Sequence, residues 1–248
     1  AASNLVNDFF DYRSGIDQAD NFGSVNVLVR KLMTPMDVSL EAGAAFVLAS
    51  ACGLYLTLQV GPAAQWPLLA LIVFGALSAY FYTAPPFAFK NRGFGDVQVM
   101  LSFALLMVLG AFYVQAKTLS WLPLIAAVPV GLLVVDILHI NNLRDRTTDR
   151  AAGIATIAIA LGNAGAKRLH HLYIAGAYVV TLALVAFSVL SPWTLIVFAG
   201  VPAALKLSRA VQSLVEPDID PMIVVKTARF HALFGALLIL GLLIGIAL

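Results

Sequence analysis

The chain has 248 residues, of which 61% are hydrophobic and only 11% charged. Soluble domains carry about 25% charged residues, which excludes a water-soluble globular fold, and a net charge of +2 gives no reason to expect nucleic acid as a partner. Cys52 is the single cysteine, which excludes an intrachain disulfide and a thiolate metal cluster.

The chain opens Ala1-Ala2-Ser3-Asn4-Leu5-Val6 without methionine. This is neither a signal peptide nor a full span, and it reads as the last turns of a helix. A first acidic cluster follows, Asn7-Asp8-Phe9-Phe10-Asp11-Tyr12-Arg13-Ser14-Gly15-Ile16-Asp17. In a helix, Asp8 and Asp11 are i,i+3 neighbours and Asn7 and Asp11 are i,i+4 neighbours. Gly15 then breaks the helix and turns Asp17 back toward the same site.

Apolar runs of about 20 residues, the length that crosses a bilayer, recur at 38–60, 66–84, 96–116, 121–141, 171–190, 193–207 and 228–248. They predict an all-α, multi-span transmembrane helical bundle in one membrane-embedded domain over 1–248. Cys52 lies inside the first run and reads as a small apolar core residue. Trp66, Trp121 and Trp193 each open a run, as interfacial aromatics do. The sixth run is short, and Lys206 and Arg209 at its end can snorkel to the interface.

Polar residues in or beside these runs are secondary candidates. Tyr82, late in the second run, either faces a site or anchors the interface. Asp96 starts the third run beside Lys90 and Arg92, where it is placed to position a substrate or simply to complement a helix N-terminus. Asp136 is embedded in the fourth run, where ionisable residues are rare and usually functional. Nine residues separate it from Asp145, which puts the two on opposite helical faces. His139 reads first as a hydrogen-bonded helix histidine, and His170, His171 and His231 as interfacial.

A second acidic cluster ends the fourth run: Asn141-Asn142-Leu143-Arg144-Asp145-Arg146-Thr147-Thr148-Asp149-Arg150. Asn141, Asp145 and Asp149 recur every four residues on one helical face, and Gly153 follows as a breaker. Folding the chain through seven spans puts 1–37, 85–95, 142–170 and 208–227 on one side. Of fifteen Lys and Arg residues, only Lys117 falls in a loop on the other side. By the positive-inside rule the basic side is cytoplasmic, and both acidic clusters lie on it.

Two carboxylates about 6 Å apart on one turn repel by roughly 3 kcal/mol at an effective dielectric near 20. A cation relieves that repulsion. Oxygen-only ligands suit a hard ion such as Mg²⁺, which uses one or two carboxylates and completes its shell with water and substrate phosphate. Two Asp pairs therefore point to two Mg²⁺ ions sharing a diphosphate, with Arg144, Lys90, Arg92, Arg30 and Lys31 as candidates to carry the remaining anionic charge.

The clusters at 7–17 and 141–149 resemble the paired aspartate motifs of the UbiA superfamily of intramembrane prenyltransferases. The resemblance extends to Tyr82-Thr83-Ala84-Pro85-Pro86 with Gly93-Phe94-Gly95-Asp96, to Asp149-Arg150-Ala151-Ala152-Gly153 and to Lys226-Thr227-Ala228-Arg229-Phe230-His231. Gly15 with Asp17, and the Asn-Asn-x-Arg-Asp form, are most similar to the 1,4-dihydroxy-2-naphthoate prenyltransferases of menaquinone synthesis. Such enzymes have nine transmembrane helices, so the resemblance implies that the first and most of the second precede this chain. It further implies that Asp8, Asp11, Asp145 and Asp149 hold Mg²⁺ on a polyprenyl diphosphate, assisted by Asn7 and Asn141 or Asn142. Asp17, Arg144, Lys90, Arg92, Tyr82 and Asp96 are the further substrate-binding candidates. The implied reaction is prenylation of an aromatic acceptor, 1,4-dihydroxy-2-naphthoate with loss of carbon dioxide, the tail lying among helices and lipid. Rival readings are another acceptor, such as homogentisate or 4-hydroxybenzoate, a CDP-alcohol phosphotransferase, or a transporter. The last lacks its mark, paired charged or broken segments at mid-bilayer.

Overall fold

The computed structural model describes residues 1–16, 27–216 and 219–247. Among these the chain is all-α, and its one β-type feature is an isolated parallel bridge between Arg92 and Ala155. The helices are α1 (Ala2–Arg13), α2 (Pro35–Gln59), α3 (Gln65–Phe81), α4 (Gly95–Val99), α5 (Met107–Ala116), α6 (Leu122–Arg144), α7 (Arg146–Ala151), α8 (Ile157–Ala186), α9 (Val201–Gln212) and α10 (Met222–Ala247). A π-helical segment, Met100–Leu106, joins α4 to α5, and a 3₁₀ segment, Pro192–Gly200, leads into α9. Among the described residues, seven helical stretches are long and apolar enough to span a bilayer.

The seven expected spans are all present, with shifted edges. The fifth begins at Ile157 rather than near 171, because α8 passes through a non-helical Gly162 (φ 68°) that joins a polar first segment to the apolar span. The sixth runs from Pro192 to Gln212, longer than the apolar run alone, since Lys206 and Arg209 stay helical.

The spans pack unevenly around α6. Half of its apolar stretch is buried, against 17% of that of α2. A continuous core joins α6, α8, α9 and α10 through Leu133, Ile140, Ile174, Val197, Val211 and Phe234. Where α6 meets the π segment, a Cβ on Gly131 would sit 2.6 Å from Ala104 Cβ, so only glycine permits that approach. α2 starts on a capping box, Thr34 with Asp37, after which Pro35 takes the first turn where no N–H is needed. Its outer face is open to lipid and carries Cys52, so this cysteine is exposed rather than a core residue. The reason is that α2 has few neighbours on that face.

Candidate active site

Both acidic clusters sit at helix C-termini built in the same way. In α1, Gly15 adopts φ 70°, Ile16 N–H donates to the Asp11 carbonyl and Gly15 N–H to the Tyr12 carbonyl. In α7, Gly153 adopts φ 74°, Ile154 N–H donates to the Asp149 carbonyl and Gly153 N–H to the Arg150 carbonyl. Each is a Schellman stop, and the glycine stands four residues after the last aspartate described in its cluster. Gly15 and Gly153 thus act as the breakers expected of them, while Asp17 lies outside the described residues.

The second cluster is not on one continuous helix. α6 stops at Arg144, Asp145 has non-helical angles (φ −90°, ψ 4°), and α7 starts at Arg146. The i→i−4 bonds nevertheless persist, Asp145 N–H to Asn141 carbonyl at 3.0 Å and Asp149 N–H to Asp145 carbonyl at 2.8 Å. The four-residue register therefore survives a break in the helix. Arg144 forks onto both oxygens of Asp145, each contact 2.6 Å, and reaches Asn141 Oδ1 at 2.8 Å. Asn142 turns away from this group, its amide pointing to Asp96.

The first cluster is held by the segment between α3 and α4. Lys90 Nζ donates to Asp11 Oδ2 at 2.6 Å and to Asn7 Oδ1 at 2.8 Å, and the Thr83 hydroxyl donates to the same Asn7 oxygen at 2.9 Å. The backbone N–H of Lys90 donates to the Tyr82 carbonyl, and Ala155 N–H to the Asn91 carbonyl. One loop therefore carries Lys90, contacts α1 through side chains, and is stitched to the strap after α7 through its backbone.

Electrostatics shows that the clusters converge. Burial, and then the charge of Asp145, push the Asp149 carboxyl up to about 6, with Asp11 raising it further and Lys90 and Arg144 opposing. Asp11 and Lys90 belong to the other cluster, so the charges of both clusters reach Asp149. Asp8 is likewise raised, first by burial and then by Asp11, with Lys90 opposing. Asp11 is buried, and its Oδ1 has no hydrogen-bond partner.

The remaining candidates divide. Arg92 is exposed and joins by its backbone bridge to Ala155, and among the described residues its side chain forms no ion pair. Arg30 and Lys31 are exposed in the segment before α2. Asp96 is buried, with Asn142, Tyr173 and His139 around its carboxylate. Asp136 pairs with His170 at 2.8 Å, both fully buried, so His170 is an interior residue and not an interfacial one. Its burial follows from the early start of α8, which carries it inward against α6. Sequence reasoning missed Thr83 and Tyr173 as site residues: Thr83 lay inside a recognised segment, but its partner is 76 positions away, and Tyr173 belongs to no local motif.

Comparison with known proteins gives the family. A model of the UbiA prenyltransferase family matches residues 1–234. The 1,4-dihydroxy-2-naphthoate octaprenyltransferase of Bacillus subtilis is 30% identical over 246 residues, covering 98% of this chain and 77% of that protein. UbiA prenyltransferase domain-containing protein 1 of Homo sapiens is 31% identical over 247 residues, 98% of this chain and 69% of that protein. A solved structure of a digeranylgeranylglyceryl phosphate synthase shares the fold with a TM-score of 0.58 at 16% identity, over 98% of this chain and 80% of that one. With two aspartate clusters meeting at one end of a helical membrane bundle, the chain belongs to the UbiA prenyltransferase family and is an integral membrane transferase.

Proposed function

We propose that this protein transfers a polyprenyl group from its diphosphate to 1,4-dihydroxy-2-naphthoate, with loss of carbon dioxide, at the cytoplasmic face and with two Mg²⁺ ions. The observation that carries the reading is Lys90, bonded to Asn7 and Asp11 and within electrostatic reach of Asp149. A single cation between two carboxylate clusters is a natural seat for a diphosphate. The acceptor is taken from the naphthoate-specific name of the Bacillus subtilis relative. The cytoplasmic side rests on the crowding of Lys and Arg there.

The residues fit the metal by their chemistry. Asp11 presents a buried oxygen without a partner, and Asp8 and Asp149 are each raised first by burial and then by a neighbouring carboxylate, whose charge a cation would offset. Among the described residues no three His, Cys, Asp or Glu side chains gather tightly enough to cage an ion. Asp8 with Asp11, and Asp145 with Asp149, would thus each hold an ion shared with phosphate and water oxygens, the usual Mg²⁺ arrangement. When bound, the ions neutralise the diphosphate as it leaves. Lys90 and Arg144 add fixed positive charge at the same oxygens, Arg144 doing so by moving off Asp145. Asn7, held by Thr83, and Asn141 orient the headgroup, while the exposed Arg92 is assigned to its outer edge.

A groove of about 430 Å³ between α2, α3 and the π–α5 stretch is lined by Leu68, Ile72, Leu106, Gly110 and Val114. It lies roughly 10–30 Å along the helix from Asp96 at 1.5 Å per residue, a distance suited to a long tail reaching into lipid.

The test uses the protein in detergent or lipid with radiolabelled geranylgeranyl diphosphate, Mg²⁺ and 1,4-dihydroxy-2-naphthoate, with EDTA and Asp145→Ala controls. A lipophilic prenylated naphthoquinol abolished by both controls is expected. Product with 4-hydroxybenzoate or homogentisate instead would keep the chemistry and overturn the acceptor.

A further inference from the structure

Next to the Lys90 cluster, α4, α6 and α8 bury a second polar group that the diphosphate chemistry leaves unused. At its centre is Asp96, only 4% exposed. Its Oδ1 lies 3.5 Å from Asn142 Nδ2, and its Oδ2 lies 3.3 Å from the Tyr173 hydroxyl and 3.5 Å from His139 Nδ1. His139 is fully buried, and its Nε2 lies 2.9 Å from the Ala166 carbonyl. A carbonyl only accepts, so Nε2 carries a proton. Nδ1 therefore faces the Asp96 carboxylate from a ring already protonated on its other side. At 3.5 Å, Nδ1 and Oδ2 close no hydrogen bond, so this side of the Asp96 carboxylate is left weakly held.

Two features separate Asp96 from a carboxylate that only holds the fold together. Its three contacts all lie at 3.3–3.5 Å, whereas Lys90–Asp11 and Arg144–Asp145 close to 2.6 Å. A carboxylate offers about four acceptor positions, and long contacts leave room for a better donor. A Cβ on Gly95 would lie 3.6 Å from Lys90 Cα, so Asp96, the next residue, stands beside the loop that carries Lys90, as does the half-buried Tyr82, whose carbonyl accepts from Lys90 N–H. A ring docked against Tyr82, with its reacting carbon toward the diphosphate, can turn a hydroxyl to Asp96.

We propose that Asp96 binds the hydroxyl of the aromatic acceptor and takes its proton during transfer, with His139 and Tyr173 as residues that position the carboxylate. The inference rests on the prenylation of a hydroxylated ring proposed above. As the allylic C–O bond breaks, its electron pair leaves with the diphosphate, and the ring carbon forms the new C–C bond. The O–H pair becomes the second bond of a ring carbonyl, and the proton passes to Asp96. Loss of carbon dioxide from the same carbon returns an electron pair to that oxygen, which recovers the proton. Asp96 ends as it began, and no oxidant or reductant is consumed.

The experiment compares wild type with Asp96→Asn, Asp96→Glu, His139→Gln and Tyr173→Phe in detergent, each checked for helicity and monodispersity. Donor binding is read separately from transfer, with geranylgeranyl thiodiphosphate and Mg²⁺. Asp96→Asn is expected to lower kcat about 100-fold or more, the usual scale of a lost general base, with donor affinity within about threefold. Asp96→Glu is expected to recover part of that loss, and His139→Gln and Tyr173→Phe to lower kcat/KM for the acceptor about 5- to 10-fold. Wild-type kcat in Asp96→Asn overturns the proposal, as does an equal loss of donor affinity. If Asp96→Asn does not fold, the Tyr173→Phe split between acceptor and donor decides it. If wild type ignores the naphthoate but prenylates another hydroxylated ring, the acceptor reading falls and the same comparison on that ring decides the role of Asp96.

Discussion

The two halves of the chain hold equivalent motifs by different means. The second cluster grows from α6, whose faces are covered by α8, α10 and the π segment, and the buried core runs without interruption from Leu133 to Leu238. The first cluster grows from α1, whose local core consists of Val6, Ala42 and Ala84 with a few half-buried neighbours. In the α6–α10 half, apolar packing fixes where the carboxylates stand. In the α1–α3 half, polar tethers do it, with Thr83 and Lys90 both bonded to Asn7 and Lys90 also to Asp11. A site assembled from one packed wall and one tethered wall should respond differently to damage on each side.

The largest expected effect is on the tether. Lys90→Met keeps the aliphatic stem and removes the charge that joins the clusters. It is expected to lower kcat/KM about 100- to 1,000-fold, the scale of losing one fixed electrostatic donor at a reacting centre, while the bundle stays helical. Steady-state kinetics beside a melting curve would check this. Activity within fivefold of wild type would mean that the first cluster does not depend on its tether.

The second comparison sets two glycines against each other. A Cβ at Gly131 would crowd Ala104 at 2.6 Å and Met100 Sδ at 2.8 Å, whereas a Cβ at Gly75 would meet nothing within 4 Å. Gly131→Ala should therefore destabilise by about 1–3 kcal/mol through overpacking. Gly75→Ala should be neutral or stabilise by up to about 1 kcal/mol through helix propensity. Thermal unfolding of both variants in one detergent measures the difference. Equal shifts would show that the two halves are equally tight.

The same contrast explains what the sequence could tell. Seven spans were legible because bilayer crossing is written in local hydropathy, and the aspartate spacing survived even the break at Asp145. Orientation within the bundle was not legible. A helix apolar on every side, such as α2, carries no stripe to tell lipid from protein, which is why Cys52 was misplaced in the core. Partner choice was not legible either. His170 looked interfacial because periodicity gives a face and an approximate depth, but not the Asp136 that meets it 34 positions away. The early start of α8 was hidden because Lys167 and Arg168 depress the hydropathy of its first segment although its backbone is already helical past Gly162.

The smallest expected effect tests how α7 is fastened to the packed half. Arg146 forks onto Glu216, Nε to Oε1 at 2.7 Å and Nη2 to Oε2 at 2.5 Å, across 70 positions. Lys167 on α8 donates to the Gln212 and Leu214 carbonyls of the same turn. Asp149 rides on α7, so this fastening steadies the second cluster from behind. Glu216 is lowered from its ordinary 4.5, first by its hydrogen bond from Arg146. A carboxylate with a depressed folded value adds stability above its unfolded value and loses it as pH falls through the folded one. Glu216→Gln is therefore expected to cost up to about 1 kcal/mol near neutral pH, since the pair is partly solvated. The gap to wild type should narrow as pH falls below the unfolded value near 4.5 and close once pH lies below the depressed folded value, where Glu216 is protonated and as neutral as the glutamine. Melting temperatures in steps from pH 7 down through the acid range read this directly. A gap that stays constant across that range would mean that Glu216 acts by shape alone, and that charge has no part in holding α7 to its wall.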